Sequence, residues 1–228
     1  MATIPAETLL RDLRRAREAP ARSALCERFR SEALKLVADD GMLAPRYCHV
    51  VKQLDGIDGG MLSCGGERFD APRLVPASGE LTALGLVACT IGPSIERRVR
   101  ELFAERRMSL GLALDALGNE LLSALSRRVQ DRMAAAVIRT GLTMAGELRP
   151  GDPGLDLAAQ PAMMRLAGAE TIGISVTSLN MLDPVKSATA VFGVGRDLPP
   201  ARWSRCDGCR SRKTCRLVIA RPLDEVPA

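Results

Sequence analysis

The segment 110-LGLALDALGNELLSALSRRVQDRMAAAVI-138 limits the possible folds more than any other stretch of the chain. It contains no proline, and Leu114, Leu121, Leu122, Leu125, Val129 and Met133 fall on one stripe at helical spacing. A long helix with such a stripe needs a core to lie against. The flanking regions have a different texture. From Pro45 to Gly92, short apolar runs are separated by turn residues, as in 48-CHVVKQLDGIDGG-60, 71-APRLVPASGE-80 and 84-LGLVACTIG-92, which predicts strands and loops. Further on, 172-IGISV-176 and 189-TAVFGVG-195 predict strands flanking the loop 177-TSLNMLDPVKS-187. With no internal repeat, this order predicts an α+β fold: helices packed on a twisted, mainly antiparallel sheet.

Residues 6 to 38 read as helix interrupted near Pro20, with Leu9, Leu10 and Leu13 on one apolar edge and Leu25, Phe29, Ala33 and Leu36 on the next. Ser94 is read as the cap of a helix reaching Met108, with Ile95, Val99, Leu102 and Phe103 on one face. The polar segment 147-ELRPGDPGLDLAAQ-160 is a loop, because Pro150, Gly151, Pro153 and Gly154 interrupt regular structure, and a short helix follows it. The expected division is a helical segment over 1–44, a main domain over 45–198 and a basic, Cys-rich tail over 199–228.

At 228 residues, 46% hydrophobic and 26% charged, the chain can bury a core without cross-links, and no apolar run approaches the length of a membrane span. The start, 1-MATIPAETLLRDLRR-15, carries Glu7 and Asp12 and lacks a signal-peptide core, so the expected location is the cytoplasm. The seven cysteines are an odd number with three crowded together, which suits metal or redox chemistry in a reducing compartment better than a disulfide framework. Cys26, Cys48, Cys64 and Cys89 read as small buried hydrophobes.

The crowded three lie in 203-WSRCDGCRSRKTCRL-217. Cys206, Cys209 and Cys215 read as three corners of a metal site, an iron–sulfur cluster ahead of zinc, with free thiols as the remaining reading; a fourth ligand would come from Cys48, His49, Cys64 or Cys89. Seven Arg and Lys against two Asp between positions 196 and 216 account for the whole net charge of +5. That basic surface suits an acidic protein, while an aromatic content of 3% supplies few platforms for stacked bases. No phosphate-binding glycine loop, nucleophile elbow or metal-binding histidine pair is present, His49 stands alone, and no catalytic residue is assigned. Asp115 and Glu120 are not one helical turn apart, which argues against paired-carboxylate catalysis and leaves Glu120 a solvated or capping-type charge.

From Cys89 to Gly195 the order of segments resembles the activation domain of cobalamin-dependent methionine synthase, and more closely the free-standing proteins built from it. The residues that carry this are Thr90-Ile91-Gly92, Asp115-Ala116-Leu117-Gly118-Asn119-Glu120, Arg149-Pro150-Gly151, Ile172-Gly173-Ile174, Pro184-Val185-Lys186-Ser187 and Val191-Phe192-Gly193. The resemblance implies binding of S-adenosylmethionine through Arg149, Pro150, Gly151, Lys186 and Ser187. It further implies a partner that carries cobalamin, either a corrinoid-binding protein or a methyltransferase, and a flavodoxin- or ferredoxin-type electron donor. The implied function is reductive activation or methylation of that corrinoid protein, as an accessory protein or as one piece of a split methionine synthase. In the family a tyrosine follows the Pro-Gly pair, whereas Asp152 stands here. Two residue-level readings remain beside this one. Lys186 and Ser187 read as exposed polar residues that shape the start of a strand, and the whole chain reads as a zinc-stabilised module docking an acidic protein or nucleic acid.

Overall fold

The computed structural model describes residues 2–15 and 23–199, with side chains for residues 2–13 and 23–199. In chain order its elements are β1 (Ala2–Thr3), α1 (Ala6–Arg15), α2 (Ala24–Asp39), β2 (Arg46–Gln53), β3 (Gly56–Asp58), β4 (Met61–Cys64) and β5 (Glu67–Asp70). They continue with β6 (Glu80–Thr90), α3 (Ser94–Ala104), α4 (Met108–Ile138), β7 (Thr143–Leu148), α5 (Gln160–Ala167), β8 (Ser175–Val176), β9 (Leu182–Asp183) and β10 (Ser187–Arg196). The fold is α+β, as expected from the sequence.

Five strands form one sheet in the order β1-β2-β6-β10-β7, antiparallel where β1 meets β2 and where β7 meets β10. The unbroken apolar runs explain the order. Nearly every residue of β6 and β10 is buried, the pattern of strands covered on both faces, and these two lie inside the sheet. A second antiparallel sheet joins β3, β4 and β5, and β8 pairs with β9.

The described residues group into two units that alternate along the chain. Those within Met1–Cys48, Ala88–Gln130 and Gly168–Ala188 form the first, and those within His49–Val87, Asp131–Ala167 and Thr189–Ala228 the second. In the first unit, Leu9 and Leu13 of α1, Ala33 and Val37 of α2, and Ile95, Val99 and Leu102 of α3 are buried one helical turn apart. Along α4 the buried large apolar residues are Leu110, Leu114, Leu117, Leu121, Leu125, Val129, Met133 and Val137, a sustained stripe of the kind the sequence predicts.

Five local expectations are corrected. Leu25 is 57% exposed, so the buried seam of α2 begins at Ala33, and Phe103 is 41% exposed at the end of α3. Cys26 is exposed, while Cys64 and Cys89 are the buried thiols. Ser94 does not cap α3: Pro93 already has helical torsions and occupies the cap, so Ser94 is the first residue of the helix and its Oγ accepts from Arg97. Strand 172–176 shortens to Ser175–Val176, because Ala169–Ile172 closes as a 3-10 turn ended by Gly173 at a φ of 79°. No helix among the described residues is long and apolar enough to cross a membrane.

Candidate functional site

In the first unit, three stretches distant in sequence meet at Lys186. Its ammonium lies 2.6 Å from Asp115 Oδ1 and 2.7 Å from Asn119 Oδ1, donating to both, and the residue is only 5% exposed. Asp115 and Asn119 stand one turn apart on α4 and are joined by Asn119 Nδ2 donating to Asp115 Oδ2. The residue between them that faces the lysine is Gly118. A Cβ there would lie 3.2 Å from Lys186 Cε and 3.1 Å from Ile95 Cγ2, so the missing side chain leaves the slot in which the aliphatic stem rests.

The backbone around the lysine is equally constrained. Its carbonyl accepts from the Ile91 N–H at 3.1 Å and from the Thr90 hydroxyl at 3.3 Å, and Thr90 Oγ1 accepts in turn from the Gly92 N–H. One residue earlier, the Val185 N–H donates to Glu96 Oε2 at 2.8 Å. Thr90-Ile91-Gly92, Asp115 to Asn119 and Pro184 to Ser187 therefore form one constellation. Ser187 follows with a buried hydroxyl that has no hydrogen-bond partner among the described residues. The reading of Lys186 and Ser187 as exposed loop residues is corrected, since both are buried. Glu120 is not a solvated charge either; it lies 2.7 Å from Arg30 with both side chains 16% exposed.

The same stretch carries a hairpin. Thr177 closes its turn, accepting from the N–H groups of Asn180 and Met181 and donating its own to the Met181 carbonyl. Held this way, Leu179 is 77%, Met181 54% and Val185 65% exposed. Asp183 is the one ionisable residue between Gly173 and Val185.

Arg149, Pro150 and Gly151 lie in the second unit, in the turn that leaves β7. The Arg149 N–H donates to Asp152 Oδ2 at 2.9 Å, the Asp152 N–H donates to the Arg149 carbonyl, and the Gly151 N–H donates to the Leu155 carbonyl. Gly151 has a φ of 90°, which explains the glycine at that point. Asp152 thus fastens the turn through both its carboxylate and its N–H. The Arg149 guanidinium reaches Glu147 Oε1 at 3.1 Å through both Nε and Nη2, with the two side chains 19% and 24% exposed. An arginine fork in this setting can grip a carboxylate, and a carboxylate of the protein is already there.

Cys206, Cys209 and Cys215 lie outside the described residues. Of the four candidates for a fourth ligand, Cys64 is fully buried and donates to the Gln53 carbonyl, and burial raises the pKa of both Cys48 and Cys64, disfavouring the thiolate that a metal needs. No group of three or more His, Cys, Asp or Glu side chains suited to a metal occurs among the described residues.

No family model and no curated protein sequence matches the chain. Among solved structures, the MetH reactivation domain bound to AdoHcy is similar with a TM-score of 0.63, over 90% of this chain and 80% of that one. The fold is that of the MetH reactivation domain. At 11% identity the likeness is one of fold, and it extends to nearly the whole chain a resemblance that the sequence carries from Cys89 to Gly195.

Sequence reasoning names Arg149, Lys186 and Ser187 as candidates but misses the partners of the first two. Lys186 is 71 residues from Asp115 and 67 from Asn119, and nothing local signals the pairing. It also missed the buried hydrogen bond from Gln160 Nε2 to Thr189 Oγ1 at 2.8 Å in the second unit.

Proposed function

We propose that this protein is a cytoplasmic accessory factor that supports reductive activation or methylation of a corrinoid protein. The observation that carries this reading is the backbone likeness to a reactivation domain bound to AdoHcy. Cob(I) corrinoid is a strong reductant that is lost to oxidation, and its return needs an electron made effectively irreversible by methyl capture. S-adenosylmethionine would supply the methyl group. The residues of this chain fit the ligand in one respect that can be stated chemically. Arg149 offers a bidentate donor to an amino-acid carboxylate, provided that Glu147 yields it.

The partner would be a corrinoid-binding protein or methyltransferase, with this chain as one part of a split methionine synthase or of another corrinoid methyltransferase system. The hairpin supports a docking role: three exposed apolar side chains on a constrained turn suit an uncharged partner surface. A Leu179→Glu/Met181→Glu double variant is expected to weaken association with the corrinoid partner at least tenfold, since about 1.4 kcal/mol suffices and two buried apolar contacts exceed it. Size-exclusion or interferometry measurements check this, and undiminished association would move the docking surface elsewhere.

We further propose that Cys206, Cys209 and Cys215 hold an iron–sulfur cluster that receives the electron from a flavodoxin- or ferredoxin-type donor, with zinc as the alternative. Replacing any one of the three by Ser is expected to remove most of the metal, because ligands act as a set. Iron, sulfide and zinc analysis after anaerobic purification decides between the two. Metal-free protein with three freely alkylated thiols in this segment would refute both.

Titration calorimetry of the full chain with AdoHcy tests the ligand part of the proposal. One site per chain is expected, and no heat at millimolar ligand would exclude it.

A further inference from the structure

The Glu147–Arg149 pair has the chemistry of an occupied carboxylate site. A single oxygen, Glu147 Oε1, receives both Nε and Nη2 of Arg149 at 3.1 Å, the two donors that a bound carboxylate would also engage. Both side chains are mostly sheltered, so the pair is screened less than a fully exposed one. The backbone beneath is fixed independently of the pair. Arg149 N–H is tied to Asp152 Oδ2, Asp152 N–H to the Arg149 carbonyl, and Gly151 N–H to the Leu155 carbonyl, so the arginine stem keeps its place when the guanidinium changes partner. Glu147 belongs to β7, whose register with β10 is set by Val191 opposite Leu148 and Gly193 opposite Ala145. The two side chains therefore leave a rigid strand end and a closed turn, and what can exchange is the carboxylate.

We infer that Glu147 is an internal stand-in for the ligand's carboxylate: it occupies Arg149 until a ligand bearing an amino-acid carboxylate displaces it, and so lowers the affinity for ligands that carry that group. This rests on the proposed binding of an S-adenosylmethionine-type ligand at Arg149. The displaced Glu147 would turn to solvent, and the cost of the exchange would fall on carboxylate-bearing ligands alone. A ligand without the carboxylate gains nothing from Arg149 and need not disturb the pair.

The test compares two ligands, AdoHcy and 5′-methylthioadenosine, which lacks the amino-acid carboxylate, on the wild-type chain, Glu147→Gln and Arg149→Lys. Glu147→Gln keeps size and hydrogen-bonding capacity but removes the charge. It is expected to tighten AdoHcy about fivefold, the upper end for a partly exposed ion pair, and to leave methylthioadenosine unchanged. Arg149→Lys, which loses the fork, is expected to weaken AdoHcy only. AdoHcy affinity that depends on Arg149 but is the same in Glu147→Gln would overturn the stand-in role and leave the site standing. Equal tightening of both ligands would also overturn it, as a general loosening of the turn. No binding of either ligand to any of the three proteins would overturn the stand-in together with the site it rests on.

Discussion

Denaturant unfolding of Asp115→Ala is expected to show a loss of about 3 kcal/mol, a large part of the roughly 5 to 15 kcal/mol available to a folded chain. The cause is the ammonium of Lys186, which is 5% exposed and holds Asp115 Oδ1 at 2.6 Å. With the carboxylate gone, a positive charge stays in the protein with only the Asn119 carbonyl oxygen to solvate it. The converse change should be far milder. Lys186→Met removes the buried charge itself, and the Asp115 side chain, 44% exposed, can rehydrate, so about 1 kcal/mol or less is expected. The order of the two variants is the informative result. If Lys186→Met costs more than Asp115→Ala, the lysine matters for its own contacts and the buried-charge account is wrong. Gly118→Ala belongs with these variants, since its methyl group would press on both Lys186 and Ile95.

Arg149→Ala is expected to weaken AdoHcy binding by about 2 kcal/mol, or roughly 30-fold, by removing one half of a hydrogen-bonded charge pair. The low end of the usual range applies because the arginine already has a partner and is 19% exposed. The loss should fall on affinity while the unfolding midpoint moves little, because the turn is fastened through the Arg149 backbone and Asp152 rather than through the guanidinium. Calorimetry paired with thermal unfolding separates the two effects. Equal AdoHcy binding by both proteins would place the ligand away from this turn.

The helices and inner strands were legible because they depend on local pattern. The stripe from Leu114 to Met133 needs only helical spacing, and the runs in β6 and β10 need only continuous apolar character, which is why both appear where the sequence puts them. Errors arose where torsions or distant partners decide. Pro93 adopts helical torsions and takes the cap position from Ser94, and the positive φ of Gly173 shortens the following strand. The site was legible in part. Arg149 announced itself beside a Pro-Gly turn, but that its guanidinium would meet Glu147, two residues back along β7, depends on where a strand ends. Lys186 looked like a loop residue because composition gives no sign that Gly118 opens a slot for it on a helix far away in sequence.

The claim that the chain assists a corrinoid protein is checked by the visible absorption of cob(II). A corrinoid-binding protein held in the cob(II) state, with a reductant and S-adenosylmethionine, is expected to lose the cob(II) band and gain the methylated spectrum faster when the full chain is added. Unchanged decay of that band across the corrinoid proteins encoded beside this chain, in the presence of both reductant and S-adenosylmethionine, would contradict the claim.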